Sequence, residues 1–290
     1  MQVTEKVFDP VHYKTTTREQ WQTAAEAWHR WNPTLKTWLG PATDLMLDMA
    51  QVKKGYRVLD IAAGAGEQSI TAAKKVGPEG YVLATDIAPE ILEYALELAK
   101  EKGIDNIDVK EMDGENLTFP DNSFDTVISR VGLIFFPDQQ KALSEMWRVL
   151  KPGGFVAAIV YSSVEKNKFF STPVSIIRRR AQLPPPLPGQ PGPFSLGNEG
   201  VLENAFKEAG FINVRSKFVD APVLMDSAKE CVRFEYESFA ALHQMLEGLS
   251  DGEKKAAWQE IEDELTKFEN GKGFAGPCEL VVGVGQKPMG

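Results

Sequence analysis

Asp60, Gly64 and Gly66 stand together in Val58-Leu-Asp60-Ile-Ala62-Ala-Gly64-Ala-Gly66. An apolar run delivers a carboxylate, then a turn of small residues. Glycine in that turn lets the backbone approach a bound molecule where a Cβ would block it. Asp86 ends a second apolar run about twenty residues later, a position suited to the two hydroxyls of a ribose. Asp113-Gly114 follows a third run, where an acid can accept a hydrogen bond from an adenine amino group. Met112 and Ile87 are placed to sandwich the ring. The types and their order point to a cofactor that carries a nucleoside.

The first turn also bears on which cofactor. A dinucleotide fingerprint wants Gly or Ala at position 69, and Ser69 stands there. Asp60 would set a carboxylate where a pyrophosphate has to lie. S-adenosylmethionine has no phosphate and carries a free ammonium, which Asp60 can hold directly or through water. An NAD(P)-dependent oxidoreductase is the alternative, against which Ser69 and the lack of a Tyr-x-x-x-Lys pair argue. A further alternative is an S-adenosylmethionine-binding protein repurposed for another reaction.

The elements that must position these residues alternate. Strands are expected at Tyr56–Ala62, Tyr81–Thr85, Ile107–Glu111, Phe124–Ser129 and Phe155–Tyr161. Helices are expected at Glu67–Val76, Pro89–Lys102 and Pro137–Leu150, with Leu150-Lys-Pro-Gly153-Gly154 as a turn. Such alternation implies a parallel sheet covered on both faces. Residues 1 to about 20 read as irregular or weakly helical. Trp21, Ala24, Ala25, Trp28, Trp31 and Leu35 then recur at helical spacing, with Pro33 and Pro41 interrupting and a second helix over Ala42–Gln51. The tryptophans either pack on the domain or wall a ligand. After Tyr161 the prolines of Leu183–Pro193 exclude a helix or central strand, and the flanking phenylalanines favour an ordered wall. A helix over Glu199–Ala209 and a strand over Phe211–Val219 follow. One helix from about Ser227 to Leu249, another through Trp258, Ile261, Leu265 and Phe268, and a last strand over Cys278–Val284 complete the chain. The expected division is a helical cap at 1–50, a cofactor-binding core at 51–161, a proline-rich substrate-side insertion at 162–198, and core completion at 199–290 with a helical lid at about 227–269.

The five motifs in order, including Phe119-Pro-Asp-Asn-Ser-Phe124-Asp125 before Ser129-Arg130, carry a resemblance. The run from Tyr56 to Tyr161 resembles class I S-adenosylmethionine-dependent methyltransferases, most of all the branch that includes the ubiquinone and menaquinone biosynthesis C-methyltransferases. The resemblance implies an α/β, Rossmann-like, doubly wound seven-stranded sheet with its last strand antiparallel. It implies that Asp60, Gly64, Gly66, Asp86, Ile87, Asp113 and Gly114 bind the cofactor, with Ala62 and Met112 beside them. Ser129 and Arg130 would flank its methionyl part. The segments before the first strand and after the fifth vary in such enzymes and build the acceptor site.

Methyl transfer is an in-line displacement in which alignment can supply roughly 7–11 kcal/mol, and a C- or O-acceptor can add a base. His243 is the first base candidate, because helical spacing puts it on the face of Tyr236 and Phe239. Tyr161, at the end of the fifth strand, is the second. Trp31, Tyr161, Phe169, Phe170, Tyr236, Phe239 and His243 are the expected acceptor-binding residues, pointing to a small apolar or aromatic acceptor. Net charge is −9 with 32 basic and 41 acidic residues, which disfavours nucleic acid as a partner. Arg178-Arg179-Arg180 is the one obvious basic cluster. Cys231 and Cys278, with three histidines, form no metal-type spacing and read as free thiols of a reducing compartment. Met1–Pro10 lacks an apolar leader core, and no stretch reaches the ~20 apolar residues of a membrane span. A cytoplasmic enzyme, monomer or homodimer, is expected.

Overall fold

The computed structural model describes residues 8–187 and 189–290. The reading of residues 1–7 lies outside them. Two helices precede the first strand: α1 (Pro10–Arg30) and α2 (Asn32–Met49). The segment read as irregular or weakly helical is a full helix from Pro10. Asp9 caps it by accepting from the N–H groups of Val11 (3.0 Å) and His12 (3.1 Å), and Pro10 sits in the first turn, where no donor is lost. Pro33 begins α2 rather than breaking it, and Pro41 lies on the solvent face inside it. Among the described residues, no helix is long and apolar enough to cross a membrane.

Strand and helix then alternate: β1 (Arg57–Ile61), α3 (Glu67–Val76), β2 (Tyr81–Asp86), α4 (Pro89–Glu101), β3 (Ile107–Glu111), β4 (Phe124–Arg130), α5 (Gln139–Val149) and β5 (Leu150–Tyr161). Each helix buries one stripe. In α4 it is Ile91, Leu92, Ala95, Leu98 and Ala99, the spacing of a single helical face. β5 begins at Leu150, so Lys151–Gly154 is not a turn outside the strand. It joins the strand through an irregularity in the pairing with β4, between Phe124 and Thr126.

Two helices follow, α6 (Lys168–Arg180) and α7 (Val201–Glu208), then β6 (Ile212–Asp220), β7 (Val223–Met225), α8 (Ala228–Ser238), α9 (Ala240–Met245), α10 (Asp251–Leu265), β8 (Glu269–Asn270), β9 (Gly273–Gly276) and β10 (Glu279–Gln286). The expected helix from Ser227 to Leu249 is two helices. Phe239 takes a non-helical backbone (φ −110, ψ 76) and its ring packs against Trp28, Phe170 and Phe234. Burial of that ring wins over helix continuity. The small sheet β7-β9-β8 was not anticipated, its strands being too short to show a period.

The main sheet has seven strands in the order β3-β2-β1-β4-β5-β10-β6. β10, the last strand of the chain, runs antiparallel between β5 and β6. The other pairs are parallel, giving the expected Rossmann-like sheet. β1 lies inside the sheet, with β2 on one side and β4, the middle strand, on the other. The strand order therefore reverses between β1 and β4, and a crevice opens at their carboxyl ends.

Candidate functional site

Two turns face each other across that crevice. Ala62 follows β1 and Val131 follows β4, and both take left-handed backbone (φ 56 and 51). A β-branched residue held there is strained by about 1–3 kcal/mol. Gly132 must be glycine, since a Cβ would lie 2.4 Å from that of Ala62. Gly64 and Gly66 are also left-handed (φ 56 and 82), and a Cβ on Gly66 would meet that of Ala95 at 2.6 Å. Gly114 lies against the Phe136 ring (2.6 Å) and Ile61 (2.8 Å) at the position its Cβ would take.

These turns border a cleft of about 80 Å³. Its polar side is formed by Gly64, Gln68, Asp86, Asp113 and Arg130. Its apolar side is Trp21, Trp28, Ile87, Met112, Phe135 and Phe136, and Ala62 and Gly114 complete it. Lys14, Thr17, Trp21 and Trp28 all come from α1, which covers the opening.

Asp86 is buried and fixed by backbone donors. Gly64 N–H donates to Oδ2 and Ala88 N–H to Oδ1, each at 3.0 Å. Burial raises its pKa, and these backbone donors oppose the rise. Asp60 lies beneath the floor and is 0 % exposed. The Ser69 hydroxyl donates to Oδ2, while Oδ1 has no partner. Burial pushes this carboxyl up to about 7, against the pull of Ser69 and Arg130. Gln68 donates from Nε2 to Ala63 O (2.9 Å) and leaves its Oε1 unpartnered. Two buried acceptors thus wait for donors beside the Gly-rich turn.

Asp113 meets α1. Lys14 Nζ donates to Asp113 Oδ2 (2.8 Å) and to Glu115 Oε2 (2.5 Å). Burial works to raise the Asp113 carboxyl, but Lys14, the Glu115 N–H and the Asn116 amide hold it below its usual value. Arg130 is buried at the end of β4. Its Nη1 donates to Glu67 at the start of α3 and to Thr43 Oγ1 of α2 (3.1 Å).

Of the residues singled out from sequence, Ala62, Gly64, Asp86, Ile87, Met112, Asp113, Gly114 and Arg130 line this cleft. Asp60, Gly66 and Ser129 lie behind its wall, the Ser129 hydroxyl buried without a partner. The expected acceptor residues divide. Tyr161, Phe169, Phe170 and Phe239 belong to an aromatic cluster with Trp38, Phe194 and Phe234 behind the cleft. Burial holds the Tyr161 hydroxyl well above its usual value, which removes it as a ready base. Trp31 is also buried, its Nε1 donating to Glu237 (2.8 Å).

His243 and Tyr236 do not reach the cleft. They line a separate open groove with Trp258, and His243 Nε2 is 2.6 Å from Tyr236 O. A carbonyl only accepts, so Nε2 carries the proton. The break at Phe239 puts the two residues on different helices; their rings still meet at 4.5 Å, as the spacing suggested, but Phe239 turns away into the aromatic cluster.

Sequence reasoning missed Lys14, Thr17, Gln68, Gly132, Phe135 and Phe136. The spacing of Lys14, Thr17, Trp21 and Trp28 already marks one helical face and was the available signal.

Residues 38–176 match the ubiE/COQ5 methyltransferase family, so the resemblance read from the motifs holds over this segment. A demethylmenaquinone methyltransferase of Listeria welshimeri is 41% identical over 113 residues, covering 39% of this chain and 48% of the relative. The chain thus spans about half the length of the curated relatives it matches. Among solved structures, the YcgJ protein of Bacillus subtilis superposes with a TM-score of 0.58 at 22% identity, covering 87% of this chain and all of that one. A Haemonchus contortus phosphoethanolamine N-methyltransferase, in complex with phosphomonomethylethanolamine and S-adenosylhomocysteine, superposes with a TM-score of 0.57 at 19% identity, covering 97% and 61%. The last two likenesses establish the fold alone.

Proposed function

We propose that this chain is an S-adenosylmethionine-dependent methyltransferase acting on a small apolar or aromatic acceptor. The observation that carries the reading is the pair of unpartnered buried acceptors, Asp60 Oδ1 and Gln68 Oε1, beside a turn whose glycines leave room for a ligand. An ammonium suits Gln68 Oε1 directly and Asp60 through water, whereas a pyrophosphate would meet a carboxylate. The match over residues 38–176 supports the same cofactor.

When bound, S-adenosylmethionine supplies a methyl group already activated by its sulfonium. The chain's residues then have distinct tasks. Gln68 holds the ammonium end, with Asp60 behind it acting through water, and Arg130 flanks the methionyl part, with Ser129 behind it. Gly64 and Ala62 let the backbone approach, with Gly66 docking that turn on α4. Asp86 takes the ribose hydroxyls. Ile87 and Met112 sandwich the adenine, with Asp113 and Gly114 at its edge. Trp21, Trp28, Phe135 and Phe136 present an apolar wall to the acceptor and exclude water. α1 is the cap, while α6 and the α8–α10 excursion close the acceptor side. Neither His243 nor Tyr161 is available as a base, so alignment in a dry cleft supplies the rate.

Isothermal titration with S-adenosylhomocysteine tests the reading, followed by a panel of acceptors scored for S-adenosylhomocysteine release and product mass. Micromolar binding and a mass gain of one methyl group are expected. Absence of binding to either form of the cofactor would sink the proposal.

A further inference from the structure

The open groove that holds Tyr236 and His243 has a volume of about 730 Å³, far larger than the cleft. Its two walls differ. One is polar and comes from α1, with Glu19 and Gln20. The other is aromatic. The Tyr236 ring meets His243 at 4.5 Å and Trp258 at 5.2 Å, both edge to face. Tyr236 is nonetheless 51% exposed. Hydrogen-bond donors stand beside these rings. Lys254 and Lys255 of α10 line the groove, and within it Gln20 donates to Gln244 of α9.

Aromatic rings beside amide and ammonium donors suit a particular kind of chain. A polyproline segment makes no hydrogen bonds within itself. Its rings pack on aromatic side chains. Its carbonyls need donors, while its prolines offer none. This chain carries such a segment. Pro184, Pro185 and Pro186 are consecutive and all exposed. Leu183, Pro184, Pro185 and Leu187 each precede a proline, which favours extended backbone at all four. Arg178 donates to the Pro184 carbonyl and fixes where the segment starts.

Segment and groove flank one helix. Arg179 and Arg180, which end α6 just before the segment, both pair with Glu260 of α10, Arg180 Nε at 2.6 Å. Trp258 of the groove lies on the same helix. The buried stripe of α10 is Ala257, Ile261 and Leu265, and its exposed crest is Ala256, Gln259 and Asp263. Helical spacing sets Trp258 and Glu260 on opposite sides of that crest. Segment and groove therefore open onto one surface, with the crest between them. The charges also agree. The segment leaves from three arginines, and in the groove Glu19, Glu247 and Asp251 outnumber Lys254 and Lys255.

We propose that the proline segment, residues 183–187, of one copy docks in the groove of a second copy, and reciprocally, so that the chain forms a two-fold dimer. An axis through the crest of α10 lays each segment over the other copy's groove. Such an interface is isologous, because one surface carries both the ligand and the receptor. Tyr236 and Trp258 are its aromatic anchors. The dimer goes beyond the methyl-transfer reading and does not depend on it.

Sedimentation velocity of the full chain over a range of concentrations tests this. The wild type is expected to sediment as a dimer in the micromolar range. Pro185→Ser/Pro186→Ser and Tyr236→Ala alter exposed side chains, so circular dichroism should show the fold unchanged. Each should weaken the dimer by about tenfold or more, as loss of an interface anchor does. Mixing the two variants is the decisive step. Each keeps the part that the other lacks, so a mixed dimer has one intact contact and should form more tightly than either variant alone. A synthetic peptide of residues 182–190 should split the wild-type dimer and shift its tryptophan emission, and Trp258→Phe should lose that shift. A wild type that is monomeric throughout overturns the proposal. If that monomer still binds the peptide, the groove receives a proline-rich segment of another protein instead. A dimer that both variants leave intact, or a mixture no tighter than its components, places the contact elsewhere and overturns the proposal as well.

Discussion

Arg130 donates through Nη1 to the Glu67 carboxylate, and the two side chains are only 4 % and 9 % exposed. The pair ties the carboxyl end of β4 to the first turn of α3, and Thr43 brings α2 to the same guanidinium. Both flanks of the crevice are therefore fixed to each other where the strand order reverses. The strained backbone at Val131, the next residue, is held by this anchorage.

Removing one partner leaves an uncompensated buried charge. Arg130→Met should cost about 3–5 kcal/mol of stability. The double variant Glu67→Gln/Arg130→Met should be less destabilised than the sum of the two single changes. Urea unfolding of the four proteins in a double-mutant cycle checks this, and strict additivity would show that the pair is uncoupled.

Asp60 makes the apo protein sensitive to pH. Its folded pKa, about 7, is raised above the ordinary 3.8. Between those values the folded state keeps a proton that the unfolded state has lost. Stability therefore falls as pH rises from about 4 to about 7 and levels off above. The upper bound on the loss is about 4 kcal/mol, from 1.36 kcal/mol per unit. Asp60→Asn should flatten that slope in denaturation curves taken from pH 5 to 8. An ammonium ligand reverses the preference, so S-adenosylhomocysteine should bind more tightly at pH 8 than at pH 6 and release a proton. Titration in buffers of different ionisation heat reads that proton directly.

Asp86 accepts from Gly64 and Ala88 while facing the cleft. Asp86→Ala removes the proposed acceptor for a ribose diol and loosens the turn at once. Hydrogen bonds to a charged group contribute about 1.5–3 kcal/mol each, so S-adenosylhomocysteine affinity should fall by roughly 100-fold or more. A loss below about tenfold, in a variant that still melts cooperatively, would remove Asp86 from the ribose site.

What was legible in the sequence was local. Asp60, the glycines and Asp86 announce themselves because a strand, a tight turn and a helix start must follow one another within a few residues. The seven-stranded order follows from the same alternation. The Glu67–Arg130 pair, 63 residues apart, leaves no trace in spacing. His243 was misplaced because the break at Phe239 is dictated by Trp28 and Phe170, rings from elsewhere in the chain.

α1 closes the cleft through charge as well as packing. Lys14 reaches both Asp113 (2.8 Å) and Glu115 (2.5 Å) with its side chain a quarter exposed, and Arg18 adds Glu111 at 2.7 Å in a more exposed setting. Such part-exposed pairs contribute at most about 1 kcal/mol each to stability, so Lys14→Met should melt close to the wild type. Their position matters more than their strength. Lys14, Trp21 and Trp28 share one face of α1 and line the cleft, so a bound ligand lies against this helix. Lys14→Met should speed S-adenosylhomocysteine dissociation several-fold. In the wild type, dissociation should accelerate between low and 0.5 M salt, as screening over about 4–10 Å weakens the clamp, and the variant should lose most of that dependence. Stopped-flow tryptophan fluorescence follows both, because Trp21 and Trp28 border the ligand. A variant whose dissociation rate and salt dependence match the wild type would show that α1 is held by its aromatic contacts alone.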